Sequence, residues 1–217
     1  MTAGVRIHRF ALAVAAEEMA RCAGILTDDE RARAARYRRD ADRAGFIVAR
    51  ARLRAVLGRA CGLAPAELRF AYGAHGKPWL PAHPALRFNL THAGEVGLVA
   101  VATGCEVGVD VEATNRRGDL DAVAATFFSS AERLALAGLA GSARSAAILR
   151  CWCRKEAYLK ARGDGLTRPL DSFDVAVGIS AASVLIATRP EPADADAWHV
   201  TDLDVGPGYV GAFAIER

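Results

Sequence analysis

Two runs of charged side chains in this 217-residue chain have spacings that chemistry can use. The first is Val107-Gly108-Val109-Asp110-Val111-Glu112. Side chains on a strand alternate faces, so the three valines point together into a core, while Gly108, Asp110 and Glu112 point the other way. Two carboxylates side by side on one strand face repel each other, and a cation between them removes that cost. Oxygen ligands of this kind suit Mg²⁺ or Mn²⁺, which combine a few carboxylates with water and phosphate. Gly108 is expected to leave room for a ligand to approach. A strand end emerging into solvent with two hydrated acids also fits these residues.

The second run extends from Trp152 to Ala161 and reads WCRKEAYLKA. On a helix Glu156 and Lys160 are four apart and share a face with Trp152. Trp152, Tyr158 and Leu159 can anchor that helix in the core. A carboxylate and an ammonium so placed form either a plain surface pair or a third metal ligand, or base, beside a phosphate-binding lysine. Further donors lie in Gly76-Lys77-Pro78, a rigid loop, and in Thr91-His92, read at a strand-to-turn junction. All three side chains are phosphate-competent donors, although a histidine at a turn is also what an ordinary surface residue looks like. Gly163-Asp164-Gly165 makes a tight turn and lacks the spacing of a P-loop.

These residues need elements to position them. The pattern predicts a helix over residues 11–21. Thr27 as N-cap, with Glu30 as its capping-box partner, opens a helix or helix pair that runs to about Cys61 and ends at Gly62. Strands are predicted at 68–72, 86–90, 96–102 and 106–112, with a loop from Gly73 to Pro84 and a turn from Thr91 to Glu95. Beyond them come helical blocks at 120–138 and 145–161, then strands at 172–177, 182–187, 198–203 and 209–215. Residues 94–101 and 208–215 match at G-x-V-G-x-x-A-[VI]. With helices ahead of strands in both halves, this weak repeat suggests a duplicated α+β module joined near Gly104, with halves at 1–104 and 105–217.

Composition bounds the rest. A hydrophobic fraction of 52% supports a core without staples. No apolar run is long enough to span a bilayer. The N-terminal apolar stretch is broken by Glu17 and Glu18 and is not read as a signal peptide. Five cysteines with no CxxC pair read as reduced thiols of a cytoplasmic protein, not as a zinc site. The net charge of +3 is mild, yet nine arginines between Arg31 and Arg54 face only Asp40 and Asp42. That cluster suits an anionic partner, whether phosphate, nucleic acid or an acidic protein, and it also fits a solvated helix face.

Taken in order, GKP at 76–78, FNLTHAG at 88–94, GVDVE at 108–112 and WCRKEAYLKARGDGL at 152–166 resemble the motifs of the Sfp-type 4′-phosphopantetheinyl transferases. The family patterns are GKP, FN-[IL]-[ST]-H-[ST]-G, G-[IV]-D-[IV]-E and W-x-x-K-E-[AS]-[YF]-[IL]-K-x-x-G-x-G-L. Each motif is weak alone; the ordered set is specific. The 26–54 helix region and the 169–173 stretch look similar too, so the resemblance spans nearly the whole chain.

The resemblance implies an α+β fold of two pseudo-twofold modules, each a small, mainly antiparallel sheet packed on a long helix, with the site in the cleft between them. It implies transfer of the 4′-phosphopantetheine arm of coenzyme A to a serine of an acyl or peptidyl carrier protein, releasing adenosine 3′,5′-bisphosphate. Fatty acid, polyketide and nonribosomal peptide pathways all fit. By similarity Asp110, Glu112 and Glu156 would hold Mg²⁺, or Mn²⁺. Glu156 would take the serine proton, and Lys160 would stabilise the leaving phosphate. Lys77, Thr91 and His92 match coenzyme A contacts, and Arg33 and Arg43 fall where basic residues hold its 3′-phosphate, with His92 nearby. A carrier would dock at residues 114–129 and the basic residues. A cytoplasmic monomer with no nucleic acid or membrane partner is expected.

Three positions depart from the pattern. Thr91 replaces the commoner serine and keeps the hydroxyl. Ala93 stands where serine or glutamine is frequent, which removes a donor. Tyr72 stands where some members carry arginine. The acid cluster is intact, which argues against a degenerate relative that only binds coenzyme A.

Overall fold

Two three-stranded antiparallel sheets, each backed by a 22-residue helix, form the frame of the molecule. The computed structural model describes residues 4–116, 118–179 and 184–217, and of residue 166 the backbone. In chain order the elements are β1 (Arg6–Ala11), α1 (Ala16–Ile25), α2 (Asp28–Ala34), α3 (Asp40–Cys61), β2 (Ala71–Tyr72), β3 (Pro78–Trp79), β4 (Leu86–Ala93), β5 (Val96–Thr103) and β6 (Val107–Ala113). There follow α4 (Leu120–Phe127), α5 (Ser130–Ala137), α6 (Gly141–Arg162), β7 (Phe173–Val175), β8 (Leu185–Thr188), α7 (Asp194–Ala197), β9 (Trp198–Leu203) and β10 (Tyr209–Glu216).

The first sheet has the order β1-β5-β4 and the second β6-β10-β9. The two copies of the repeat are therefore the two central strands, β5 and β10. Gly104, Cys105 and Glu106 alone join β5 to β6. Leu53 and Leu57 of α3 pack on Phe88, Val99 and Val101 of the first sheet. Cys153, Ala157 and Ala161 of α6 pack on Ala212, Ala214 and Val200 of the second. Among the described residues no helix is long and apolar enough to cross a membrane.

Several boundaries differ from the sequence reading, each for a physical reason. The expected helix over 11–21 starts five residues later, because Arg6–Ala11 is a strand. Its charged residues mask the alternation, as an edge strand paired only with β5 permits. Phe10 lies opposite Gly97, and its ring stands 2.3 Å from where a Cβ of Gly97 would sit, so the glycine makes space for that ring. The expected turn over 91–95 shrinks to Gly94 and Glu95, with Gly94 at φ +53°. Thr91 and His92 thus belong to the strand, and the Tyr209 hydroxyl accepts the Glu95 N–H at 3.1 Å.

The expected strand over 68–72 pairs only at Ala71 and Tyr72, with Trp79 and Pro78 of the presumed loop. The 120–138 helical block breaks at Phe128-Ser129, where Ser129 caps α5 and Glu132 completes a capping box. The strand expected over 172–177 is confined to 173–175. The strand expected at 182–187 is described from Leu185 onward; residues 182 and 183 lie outside the described residues. The five cysteines carry no disulfide, and Cys22, Cys151 and Cys153 are buried.

One buried ionic cluster staples α2 to α3. Glu30, 3% exposed, accepts from Arg50, from Arg54 Nε at 2.7 Å and from the Thr27 N–H at 3.1 Å. Arg54 also donates to the carbonyls of Pro65 and Leu68. Burial works against the Glu30 charge, but the hydrogen bonds from Arg54 and Arg50 outweigh it and hold the carboxyl below its ordinary range. A group depressed in the folded state stabilises the fold above the unfolded-state pKa, about 4.3 for glutamate. That stability disappears as pH falls through the lower folded value. Glu30→Gln strands two buried arginines and is expected to cost about 3–5 kcal/mol at neutral pH. Urea unfolding at pH 7 and pH 3.5 measures this: the gap between wild type and variant should narrow at the lower pH.

Candidate active site

The site is built where β4, an edge of the first sheet, runs alongside β6, an edge of the second. No backbone ladder joins them among the described residues. Instead Asn89 Oδ1 accepts the Val109 N–H at 3.0 Å, a side chain doing the work of a strand partner. Two residues on, Thr91 lies on the same face of β4 as Asn89. Its hydroxyl donates to Asp110 Oδ1 at 3.1 Å. Val107, Val109 and Val111 are buried as their alternation requires.

Gly108 does not do what the sequence suggested. A Cβ there would lie 2.1 Å from the Ala157 carbonyl oxygen and 2.3 Å from the Ala161 nitrogen. The missing side chain makes room for α6, not for a ligand. That close approach brings one face of α6 over the acids of β6. Lys160 Nζ then donates to Asp110 Oδ1 at 2.5 Å and reaches the Thr91 hydroxyl oxygen at 3.3 Å. Asp110, 4% exposed, has its other oxygen Oδ2 buried with no hydrogen-bond partner. Glu112 pairs with Arg116 at 2.8 Å, and the Arg116 guanidinium lies over the Trp152 ring.

The electrostatics follow from this crowding. Burial raises the Glu112 carboxyl above its ordinary value, and Asp110 adds to the rise against Arg116 and Lys160. Burial likewise raises Glu156; Lys160 opposes the rise and Asp110 adds to it. Burial disfavours the Lys160 charge, but Asp110 and Glu156 overcome that and hold the ammonium above its usual range. Three carboxylates thus share a site with one lysine and one arginine. Among the described residues no three such groups close into a ready-made metal cage. The orphaned Asp110 Oδ2 and the two raised glutamates nevertheless fit a small oxygen-seeking cation.

A cleft leads away from this point. One lobe, about 270 Å³, is lined by His75, Gly76, Pro78, Asn89, Glu156 and Lys160, among others. A second, about 260 Å³, continues past Asn89 and Pro78 to Arg33, Tyr37, Tyr72 and His92. Arg33 stacks on Phe46, with Tyr37 against the same ring. Burial lowers the His92 pKa, and the nearby Lys160 lowers it further. A broader hollow of about 580 Å³ adjoins these, lined by Asp29, Arg33, Arg36, Tyr37 and Tyr72. The wall is basic and aromatic, as an anionic ligand with a flat ring would need.

Lys160, Glu156, His92 and Arg33 line this cleft, and Lys160 joins it to Thr91 and Asp110 behind. Arg43 is not among its described lining residues; its guanidinium pairs with Asp40 at 2.6 Å on the surface. Lys77 lines the cleft, but its ammonium turns away to Glu106 Oε2 at 2.6 Å and to the Ala161 carbonyl at 2.5 Å. It ties the 73–78 loop to the C-terminal end of α6. Burial lowers its pKa, and Glu106 resists that. Glu106→Ala should cost about 1 kcal/mol at this mostly buried pair, or about 2–4 °C in Tm for a chain this long. Hydrogen exchange at the Gly73 amide, which bonds the Lys77 carbonyl at 2.9 Å, should quicken with it. Sequence reasoning missed Asn89 and Tyr37; only the FN dipeptide in FNLTHAG pointed to the first.

Comparisons with known proteins show the family. A family model described as the 4′-phosphopantetheinyl transferase superfamily matches residues 106–214. A second, described as 4′-phosphopantetheinyl transferase, N-terminal, matches residues 14–104. The chain is similar to the 4′-phosphopantetheinyl transferase HetI of Nostoc sp., 33% identical over 97% of this chain and 87% of the relative. It is similar also to the 4′-phosphopantetheinyl transferase Sfp of Bacillus subtilis, 26% identical over 89% of this chain and 83% of that protein. With a family model over half its length and a 33% identical relative over nearly all of it, the chain belongs to the 4′-phosphopantetheinyl transferase superfamily.

Proposed function

We propose that this chain transfers the 4′-phosphopantetheine arm of coenzyme A to a serine of an apo acyl or peptidyl carrier protein. The observation that carries the reading is the meeting of Thr91 from β4, Asp110 from β6 and Lys160 from α6, at the head of a basic and aromatic cleft. Asp110, Glu112 and Glu156 would hold Mg²⁺, or Mn²⁺, supported by the orphaned Asp110 Oδ2. The cation, when bound, supplies neutralisation of the coenzyme A diphosphate.

This chain's own groups do the rest. Glu156, whose carboxyl burial holds above its ordinary value, takes the proton of the carrier serine. The serine oxygen attacks the phosphorus bearing the pantetheine arm, and the bond from that phosphorus to the bridging oxygen breaks. Adenosine 3′,5′-bisphosphate leaves with the Lys160 ammonium donating to its phosphate. Arg33 and His92 hold the 3′-phosphate end, with Arg43 drawn to it from outside the cleft. Thr91 orients Lys160 and meets the diphosphate, and the 76–78 loop with Lys77 walls the site.

The halves 1–104 and 105–217 each contribute residues to this cleft, so a monomer suffices, working in the cytoplasm without nucleic acid or membrane. The carrier docks along 114–129, of which residue 117 lies outside the described residues, and polyketide, nonribosomal peptide and fatty acid carriers all suit it. Intact-mass measurement of apo carriers incubated with the protein, coenzyme A and Mg²⁺ tests the reading. The expected result is a carrier heavier by one phosphopantetheine arm, with EDTA preventing the gain. No gain across a panel of carriers would sink it.

A further inference from the structure

We infer that Asp194 is a positioning residue: from outside the cleft it holds, through Arg162, the Gly163-Asp164-Gly165 turn that walls the lobe beside Glu156 and Lys160. This rests on the transferase reading and adds to it a residue that none of the ordered motifs contains. Gly163 and Gly165 line that lobe together with Lys160. Both have positive φ, +78° and +58°, a conformation that suits glycine. A Cβ on Gly163 would stand 3.1 Å from Lys77 Cδ, and one on Gly165 would stand 3.3 Å from His75 Cβ. The turn therefore lies close against the 73–78 loop and completes the wall.

Two glycines in three residues restrain a backbone little, so the turn needs a hold from outside. Asp164 supplies the handle: its Oδ2 accepts from Arg162 Nε at 2.5 Å. Arg162 reaches on to Asp194 Oδ2, and the Tyr158 hydroxyl donates to the same oxygen at 2.7 Å. Trp198 Nε1 donates to Asp194 Oδ1 at 3.3 Å. Arg168 adds a second cation between the two carboxylates, 4.0 Å from Asp164 and 3.8 Å from Asp194. Tyr158 is fully buried, its ring in edge contact with Phe173 and Trp198. Burial, and Asp194 with it, push its pKa up to about 12, so the hydroxyl stays a donor. The anchor is thus the core, and Asp194 passes its rigidity to the turn. Tyr158 and Lys160, two apart on α6, point to opposite sides of the helix, so Asp194 acts on the cleft without entering it.

Without Asp194, Arg162 loses its fixed partner and the turn samples other positions. A wall in place about a tenth of the time weakens a ligand that fills the lobe about tenfold. In the proposed reading Arg33 and His92 take the nucleotide end, so the arm takes this lobe. Coenzyme A should therefore feel the change, and adenosine 3′,5′-bisphosphate, which has no arm, should not.

Asp194→Asn keeps the shape and an acceptor oxygen for the core donors but lacks the charge that Arg162 pairs with. Asp164→Ala cuts the same link at its more exposed end, away from the core. Each should raise KM for coenzyme A, by about three- to tenfold, while kcat falls less than about twofold. Calorimetry should show the same loss for coenzyme A and none for adenosine 3′,5′-bisphosphate. A merely structural role would lower the folded fraction, which reduces kcat and leaves KM in place. An unchanged KM for coenzyme A in both variants, or equal weakening of both ligands, would overturn the inference and leave the transferase reading standing. A wild-type chain that modifies no carrier in the panel would overturn the reading and the inference together.

Discussion

Asp110→Ala should lose at least about 10³-fold in carrier modification while keeping a near wild-type melting curve. Both halves of that expectation come from the site. Asp110 Oδ1 receives Lys160 and Thr91, one group from the helix and one from the neighbouring strand. Its removal frees Lys160 from the position in which the proposed reaction has it meet the leaving phosphate, and takes away the central carboxylate of the proposed cation site. Losing one preorganised electrostatic partner typically costs about 10²–10³ in rate, and here two functions depend on one residue.

Stability responds differently. A lost buried ion pair destabilises, but Asp110 also repels Glu112 and Glu156, raising both, and carries an unpaired buried oxygen. The two contributions offset. Initial rates by intact mass, with thermal unfolding of the same samples, check the pair. Full activity in the variant refutes the assignment of Asp110, and Asp110→Asn, which keeps the shape, should be almost as slow.

Gly108→Ala should be as damaging to activity by a different route. The added methyl meets the backbone of α6, with the Ala157 oxygen at 2.1 Å and the Ala161 nitrogen and Cα at 2.3 and 2.8 Å. Backbone cannot rotate away as a side chain does, so the helix must lift from the strand. Overpacking of this kind costs about 1–3 kcal/mol and sometimes more. The helix that lifts is the one bearing Glu156 and Lys160, and a displacement of about 1 Å can cost on the order of 10²-fold in rate. Chemical unfolding and initial rates should therefore fall together. A variant with wild-type stability and rate would show that the close approach of α6 to β6 is not what sets the site.

Much of the frame was legible because its signals are local. Thr27 with Glu30, Gly62 and the alternating valines of β6 each declare an element within a few residues, and β9 falls where the pattern put it. β1 was hidden because Arg6, His8 and Arg9 stand on an edge strand that tolerates charge. The α4–α5 break was hidden because Ser129 and Glu132, a capping box, lie inside a continuous helical pattern. At the site, residue types announced themselves but their partners did not. Nothing near Lys77 in sequence says that Glu106 and the end of α6 will take its ammonium. Nothing near Gly108 says that a helix, not a ligand, fills its space. Asn89 looked like one letter of a motif, and only the approach of β6 gave its amide a direction.

The link of Gly104, Cys105 and Glu106 between β5 and β6 bears on how such a site assembles at all. A tether this short keeps β6 near the first sheet at an effective concentration on the order of millimolar or more. Asn89 and Thr91 therefore find Val109 and Asp110 without a long search through chain conformations. A longer closure returns α6, some fifty residues downstream, to the same strand. Asp110 and Glu112 with their β4 partners are the part of the site that costs little chain entropy to close, and Glu156 with Lys160 the part that costs more.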